Sequence, residues 1–336
     1  MPGGTSRQTV IVRVKVVQRR GGAFEAEHPV EAVLCDATGR VLARAGDGVA
    51  TTFRSAAKPF QLATCLEVLG EAAAGLTDEQ LALGAASHHG EPGHVRGVTE
   101  LVHRLGRQES ELLCGSHPPV HAPSARAMYA AGGEPAAVHH NCSGKHAFMA
   151  AAAAHLGGDM DYRGVAHPLQ QRVLTRIQAV SGARQVPAVI DGCGLPCWVL
   201  TLDGMARAWA SVAEAAMREP DSPLGRTAWA MQRKPWFVSG TDAFDGWLMM
   251  QATRPIVAKV GADGLLCVAL FERRQGFALK VRSGSGEARA AAVYSCLKRW
   301  APELIEERLP ERYFVLRNAA GLAVGELTDQ WSQPGA

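Results

Sequence analysis

The chain has 336 residues, of which 47% are apolar and 20% are charged, and its formal net charge is +3. These values are typical of a soluble globular protein, and without an extended basic cluster they give no support to binding of nucleic acid or of a membrane surface. The longest apolar stretch, residues 147–154, is too short to span a bilayer, and no apolar leader follows the polar first residues. We therefore expect a cytoplasmic protein whose eight cysteines are free thiols.

Strands are predicted first along the chain. Apolar residues alternate through residues 9–17, which predicts a strand that begins close to the N-terminus. Residues 31–35 and 41–45 predict two more strands, joined by the turn 36–39.

A helix is predicted next, beginning near Ser55. Its apolar run ends before Gly70, a residue type that commonly caps helix C-termini. Pro59 is compatible only with the first turn, where no intrahelical N–H bond is lost. Ser55 and Lys58 then occupy positions i and i+3 and share one face of the helix.

The remainder of the middle region, to about Gln251, is rich in alanine and leucine and is predicted to be largely helical. Thr77 caps one helix, with Gln80 three positions on, and the alanine-rich residues 146–155 predict a buried helix. Three runs separated by turns then predict an antiparallel meander: residues 255–260, 265–271 and 276–281.

Strands at both ends of a chain with helices between them favour an α+β fold. We expect the N- and C-terminal strands to join in one antiparallel sheet, with helices packed on its faces. The sequence is read as a single composite domain over residues 9–330, whose helical region covers about 55–251.

Ser55 and Lys58 are also candidates for catalytic residues. Serine is a poor nucleophile until a base takes its proton, and a lysine with a lowered pKa can act as that base. A Ser-x-x-Lys match is common by chance, and the alternative is an N-capping serine beside a solvated lysine.

Four other polar clusters stand out: residues 87–91, 141–146, 191–197 and 259–261. The order Ser55-x-x-Lys58, then Ser87, then Lys259 resembles that of serine β-lactamases and penicillin-binding proteins. The second motif lacks their Ser-Asp-Asn spelling, which argues against a β-lactam substrate. Ser87 as a helix cap and Lys259 on an edge strand are the simpler alternatives.

The cysteine clusters are more specific. They read Asn141-Cys142-Ser143-Gly144-Lys145-His146 and Asp191-Gly192-Cys193-Gly194-Leu195-Pro196. Together with the stretch of residues 54–61, they resemble the asparaginase II family, the Rhizobium-type L-asparaginases. The resemblance extends over nearly the whole chain, including residues 239–242 and 259–264. It implies a serine β-lactamase-like fold, hydrolysis of L-asparagine to L-aspartate and ammonia, and a homodimer.

The resemblance also assigns residues: Ser55, Lys58, Ser87 and Lys259 as catalytic, Cys142, Lys145 and Cys193 as zinc ligands, and Asp191 and His146 beside them as substrate-binding residues. Ser55 matches the nucleophile and Lys58 its base. Ser87 and Lys259 match a second serine–lysine pair in the same pocket.

Chemistry alone favours a different zinc site, made of the thiols and imidazole that usually bind this metal: Cys142, His146, Cys193 and Cys197. Lysine is a rare ligand because it must lose a proton to bind. A metal-free site also remains open. Two other functional classes are a penicillin-recognising hydrolase or esterase, which needs no cysteine clusters, and a non-catalytic zinc-stabilised module, which needs neither Ser55 nor Lys58.

Overall fold

The computed structural model describes residues 12–332. Eleven strands lie in this part of the chain: β1 Arg13–Arg20, β2 Ala23–Asp36, β3 Val41–Ala45, β4 Ala50–Thr52, β5 Ala188–Ile190, β6 Pro196–Thr201, β7 Ile256–Val260, β8 Leu265–Leu270, β9 Gln275–Val281, β10 Val315–Arg317 and β11 Ala323–Ser332. It also contains eleven α-helices: α1 Lys58–Leu69, α2 Asp78–Gly84, α3 Pro92–Arg104, α4 Ala122–Ala130, α5 Ser143–Leu156, α6 Pro168–Ser181, α7 Leu202–Arg218, α8 Pro223–Arg233, α9 Pro235–Val238, α10 Phe244–Gln251 and α11 Gly286–Trp300. The start of the first predicted strand, residues 9–11, lies outside the described residues.

The main sheet joins the two ends of the chain. Its strands follow the order β10-β11-β1-β2-β9-β8-β7, with β3 also paired to β2, and the pairs between these strands are antiparallel. β1 pairs on one side with β2 and on the other with β11. The prediction of a mixed fold with an antiparallel sheet built from both termini is therefore confirmed.

Helices cover both faces of this sheet. Neighbouring residues of a strand point to opposite faces, and in β9 a Cβ on Gly276 would lie 2.0 Å from the carbonyl oxygen of Ala206 in α7. The next residue, Phe277, instead stacks edge-on against Trp300 of α11. α7 and α11 thus pack on opposite faces, and the glycine allows α7 to approach the sheet backbone closely.

α1 ends where the sequence indicated but begins at Lys58, three residues after the predicted start near Ser55. A 3₁₀ turn over Arg54–Ala57 leads into the helix, which ends at Gly70 with a φ of 50°. Ten of its 12 residues are buried, which explains the weak amphipathic pattern of this segment. The indole Nε1–H of Trp209 in α7 donates to the carbonyl oxygen of Ala56 at 3.2 Å, so the turn that carries Ser55 is fixed to the core.

Other local predictions agree with the structure. Thr77 and Gln80 form a capping box at α2, and the predicted meander is β7-β8-β9. The second strand, however, begins at Ala23 rather than at residue 31, because its first half, which pairs with β1, is largely exposed and lacks the buried apolar character of the second half. A small sheet, β4-β6-β5, was also missed. None of the helices formed by residues 12–332 has the length and apolar character needed to cross a membrane.

Candidate active site

A cavity of about 410 Å³ lies where six segments of the chain converge. They are the turn before α1, the chain after α2, the loop before α4, the segment leading into α5, the loop before β6 and the end of β7. The residues that line the cavity are Arg54, Ser55, Ser87, His89, His117, Val120, His140, Asn141, Cys142, Asp191, Gly192, Cys193, Val260, Gly261 and Ala262. Each polar cluster found in the sequence contributes to this wall.

Arg54 holds the turn that presents Ser55. It has a φ of 46°, in the left-handed region that non-glycine residues rarely adopt. Its guanidinium forms ion pairs with Asp191, at 2.8 Å from Nε to Oδ1, and with Asp263, at 2.7 Å from Nη1 to Oδ2. Its backbone N–H donates to Cys197 Sγ at 3.4 Å. These contacts tie the Ser55 turn to the loop that carries Cys193.

Lys58 is buried beside the second predicted serine. Its Nζ donates to Ser87 Oγ at 2.7 Å and also to the carbonyl oxygen of Ala86. The Ser87 backbone is held in turn by a 2.9 Å hydrogen bond from its N–H to the carbonyl oxygen of Val238. Burial lowers the pKa of Lys58, which favours the neutral amine that a general base requires.

Lys259 has a different partner from the one that the resemblance implies. Its Nζ lies 3.6 Å from Asp245 Oδ2 and donates to the carbonyl oxygen of Val260 at 3.2 Å, while the Ser87 hydroxyl is held by Lys58. Burial lowers the pKa of Lys259 to about 8, although the Asp245 carboxylate opposes that shift. The structure therefore pairs Lys58 with Ser87 and Lys259 with Asp245.

The expected zinc ligands are grouped together. Lys145 Nζ donates to Cys193 Sγ at 3.0 Å, and Cys142 and Cys193 both line the cavity. A hydrogen bond with Cys193, reinforced by the charge of Lys145, holds the pKa of the Cys142 thiol well below its usual value. Burial alone would lower the pKa of Lys145, but the two cysteines raise it above the ordinary lysine value.

The other three candidate residues of this site, Asp191, His146 and Cys197, each have contacts outside the two-cysteine group. Asp191 is on the cavity wall, paired with Arg54. His146 is buried, with its Nδ1 3.0 Å from the Tyr162 hydroxyl, and burial lowers its pKa to about 4. Its Nε2 is buried without a hydrogen-bond partner among the described residues. Cys197 lies on β6 with its sulfur toward the Arg54 backbone.

The eight cysteines, all within the described range, are buried free thiols. Over residues 12–332, His, Cys, Asp and Glu side chains form no group of three or more able to hold a metal ion. The set implied by the resemblance differs from such groups because it combines two thiols with a lysine amine.

Two of the three histidines on the cavity wall accept backbone N–H groups, and sequence reasoning gave no role to any of the three. His140 Nδ1 accepts the Cys142 backbone N–H at 3.0 Å, and His117 Nε2 accepts the Asn141 N–H at 3.0 Å. Each neutral ring therefore carries its proton on the other nitrogen. Asp245 was also missed, although an acidic residue in the first turn of an otherwise apolar helix is a signal that can be read from sequence.

Comparison with known proteins agrees with these motifs. The family model described as L-asparaginase II matches residues 16–328. Comparison with curated protein sequences gives no match. Several solved structures show a weak likeness to this chain, and two of them serve as examples. One is Mglu in its native form in the presence of 4.3M NaCl, at 18% identity over 86% of this chain and 66% of that one, with a TM-score of 0.37. The other is a second Mglu structure, at 19% identity over 86% and 72%, with a TM-score of 0.37.

This chain thus spans about two thirds of the length of the first of those structures, and at such TM-scores the likeness supports no conclusion. The family match is different, because it extends over most of the chain and includes each of the polar clusters on the cavity wall. The chain belongs to the L-asparaginase II family, a family of amidohydrolases.

Proposed function

We propose that this chain is an L-asparaginase that hydrolyses the side-chain amide of L-asparagine to L-aspartate and ammonia. One structural observation supports the proposal in addition to the family match. A single cavity contains Ser55, the Ser87 hydroxyl bonded to the buried Lys58, and the Asp191 carboxylate. A nucleophile, a base with a lowered pKa and an anion suited to a substrate ammonium are thereby combined in one site.

In the proposed mechanism Ser55 Oγ attacks the amide carbon and its proton passes to the neutral amine of Lys58. Lys58 then protonates the departing ammonia, and water hydrolyses the acyl-enzyme. The 2.7 Å hydrogen bond between Lys58 Nζ and Ser87 Oγ supports Ser87 as a proton relay between the lysine and the reacting groups. The lowered pKa of Lys58 supports its role as base.

We further propose that zinc binds to Cys142, Lys145 and Cys193, with His146 beside them. The donor set fits this metal. The buried thiols of Cys142 and Cys193 are adjacent, and the pKa of Cys142 is strongly lowered. Lys145 is hydrogen-bonded to Cys193, and the imidazole Nε2 of His146 has no hydrogen-bond partner among the described residues. When bound, the ion would supply a Lewis acid that orients the charged groups of the substrate. Asp191, on the same wall, would bind the α-amine.

The finer structural expectations are proposals as well. A serine β-lactamase-like fold is supported by the antiparallel sheet from both termini and by Ser55 at the entry to the buried helix α1. The homodimer follows from the family resemblance and is tested by light scattering on the purified chain. Cytoplasmic residence stays an expectation from composition.

The function is tested by assaying ammonia release from L-asparagine, with nitrocefin and a p-nitrophenyl ester as alternative substrates. We expect asparagine alone to be turned over rapidly, and turnover to fall by more than about a hundredfold in Ser55→Ala and in Lys58→Ala. Hydrolysis of nitrocefin or the ester without asparagine turnover would refute the proposal. Circular dichroism of each variant separates loss of chemistry from loss of fold.

The zinc site is tested by elemental analysis of purified protein. About one zinc per chain is expected for a single two-cysteine cluster. Cys142→Ser and Cys193→Ser should lose it, whereas Cys197→Ser, whose sulfur faces the Arg54 backbone, should retain it. Equal loss in Cys197→Ser would favour the four-ligand site, and wild-type protein without metal would refute the assignment.

A further inference from the structure

We propose that Asp245 is a positioning residue for the reaction. Its buried carboxylate fixes Lys259 and also Val260, which is part of the cavity wall. The inference rests on the proposed function and deepens it. Asp245 does not line the cavity, so it would act through its neighbours rather than by contact with the substrate.

The carboxylate of Asp245 has three partners. The residue is at the start of α10 and is fully buried, like Lys259. Its Oδ2 lies 3.6 Å from Lys259 Nζ and accepts the Val260 backbone N–H at 3.0 Å, and its Oδ1 accepts the Gly246 N–H at 3.1 Å. One carboxylate thus holds the side chain of residue 259 and the backbone of residue 260.

Residues 259 and 260 end the strand β7, and the chain reaches the cavity at this point. Val260 and Gly261 are part of its wall, at the end of β7. Behind the wall, Arg289 of α11 donates from Nη1 to the carbonyl oxygen of Gly261 at 3.2 Å. The wall is therefore held from the protein interior by an anion and a cation, and it cannot shift without breaking buried polar contacts.

Charge explains why an acid occupies this position. Asp245 faces the positive charges of Lys259 and Arg289. Removing the carboxylate charge would leave buried cations without compensation, which is strongly unfavourable in a protein interior. The substitution Asp245→Asn keeps the shape and an oxygen acceptor for Val260, so it removes the charge with little change in volume.

The test is a double-mutant cycle read by kcat and KM for asparagine. We expect Asp245→Asn to lower kcat by roughly tenfold or more with little change in KM, because only the groups beside the reacting centre are disturbed. In a Lys259→Met background the same substitution should change kcat by less than about twofold, since the partner is already absent. If Asp245→Asn does not fold, Asp245→Glu, which keeps the charge but displaces it by one methylene, is used instead and should also lower kcat.

Glu31→Gln is the matched control. Glu31 is a buried carboxylate that likewise holds a cation, Arg282 at 2.6 Å from Nε to Oε1, and a backbone N–H, that of Gly48 at 2.8 Å, but it lies outside the cavity wall. It should lower thermal stability while kcat stays within about twofold of wild type.

Wild-type kcat in the Asp245 variant, additive effects in the cycle, or an equal loss of kcat in Glu31→Gln would overturn the inference. Wild-type protein that releases no ammonia from asparagine would instead refute the proposed function, and the inference with it.

Discussion

Gly144→Ala is a sharp test of how the site is assembled. Gly144 is the second residue of α5, between Cys142 and Lys145. A Cβ at this position would lie 2.3 Å from the carbonyl oxygen of Leu83 and 2.7 Å from its carbonyl carbon. Both are backbone atoms in the last turn of α2, so no side-chain rotation relieves the clash. α5 and α2 would have to move apart.

The size of that movement follows from the contact. Restoring an ordinary 3.4 Å approach requires a separation larger by about 1 Å. Overpacking of this kind costs about 1–3 kcal/mol of stability. The two helices carry opposite sides of the site, with Cys142 and Lys145 at the start of α5 and Ser87 shortly after α2. A misplacement of about 1 Å between catalytic groups can lower the rate by roughly a hundredfold.

The assays are thermal unfolding and steady-state ammonia release. Gly286→Ala is the control, because Gly286 also lies at a helix start but a Cβ there would meet nothing closer than 3.9 Å. We expect Gly144→Ala to lower both the unfolding temperature and kcat, and Gly286→Ala to change neither substantially. A Gly144→Ala protein as stable and as active as wild type would refute the proposed contact between α5 and α2.

Three other predictions follow from single features. Thr77→Ala removes the capping box of α2 and should lower the free energy of unfolding by about 1 kcal/mol, measured by thermal denaturation. Burial lowers the pKa of His88 and His94 below the ordinary 6.5. The unfolded chain therefore binds more protons below that pH, and the unfolding temperature should fall between pH 7.5 and pH 5; an unchanged value would contradict this. Glutamine, with one extra methylene, should have a kcat/KM roughly a hundredfold below that of asparagine; equal values would exclude a fixed clamp on the α-groups.

Local patterns predicted those parts of the fold whose signals are local. The boundaries of α1 were readable because Pro59 and Gly70 mark its first turn and its end. The meander β7-β8-β9 was readable because its apolar runs are separated by one glycine-containing turn and one charged turn. The strands β4 and β5 have only three residues each and present exposed or half-buried side chains, so composition carries no signal for them.

The sequence predicted which segments form the site, but not which side chains pair with one another. The spacing of Ser55 and Lys58 suggested one serine–lysine pair, and the family resemblance implied a second, Ser87 with Lys259. Pairing in space depends instead on how α1 packs against the chain after α2, which brings Lys58 Nζ to Ser87 Oγ. The partner of Lys259 is Asp245, 14 residues earlier on another element, and no short motif links the two.

Arg54 combines a strained backbone conformation with a charged side chain that the site uses. A left-handed residue other than glycine costs roughly 1–2 kcal/mol, and glycine would remove that cost. Glycine would also remove the guanidinium that joins Asp191, on the cavity wall, to Asp263. Because Asp191 lies two residues before Cys193, the same side chain links the turn of the proposed nucleophile to the loop of a proposed metal ligand. The backbone strain at residue 54 is thus a consequence of placing a charged side chain where the local geometry favours glycine.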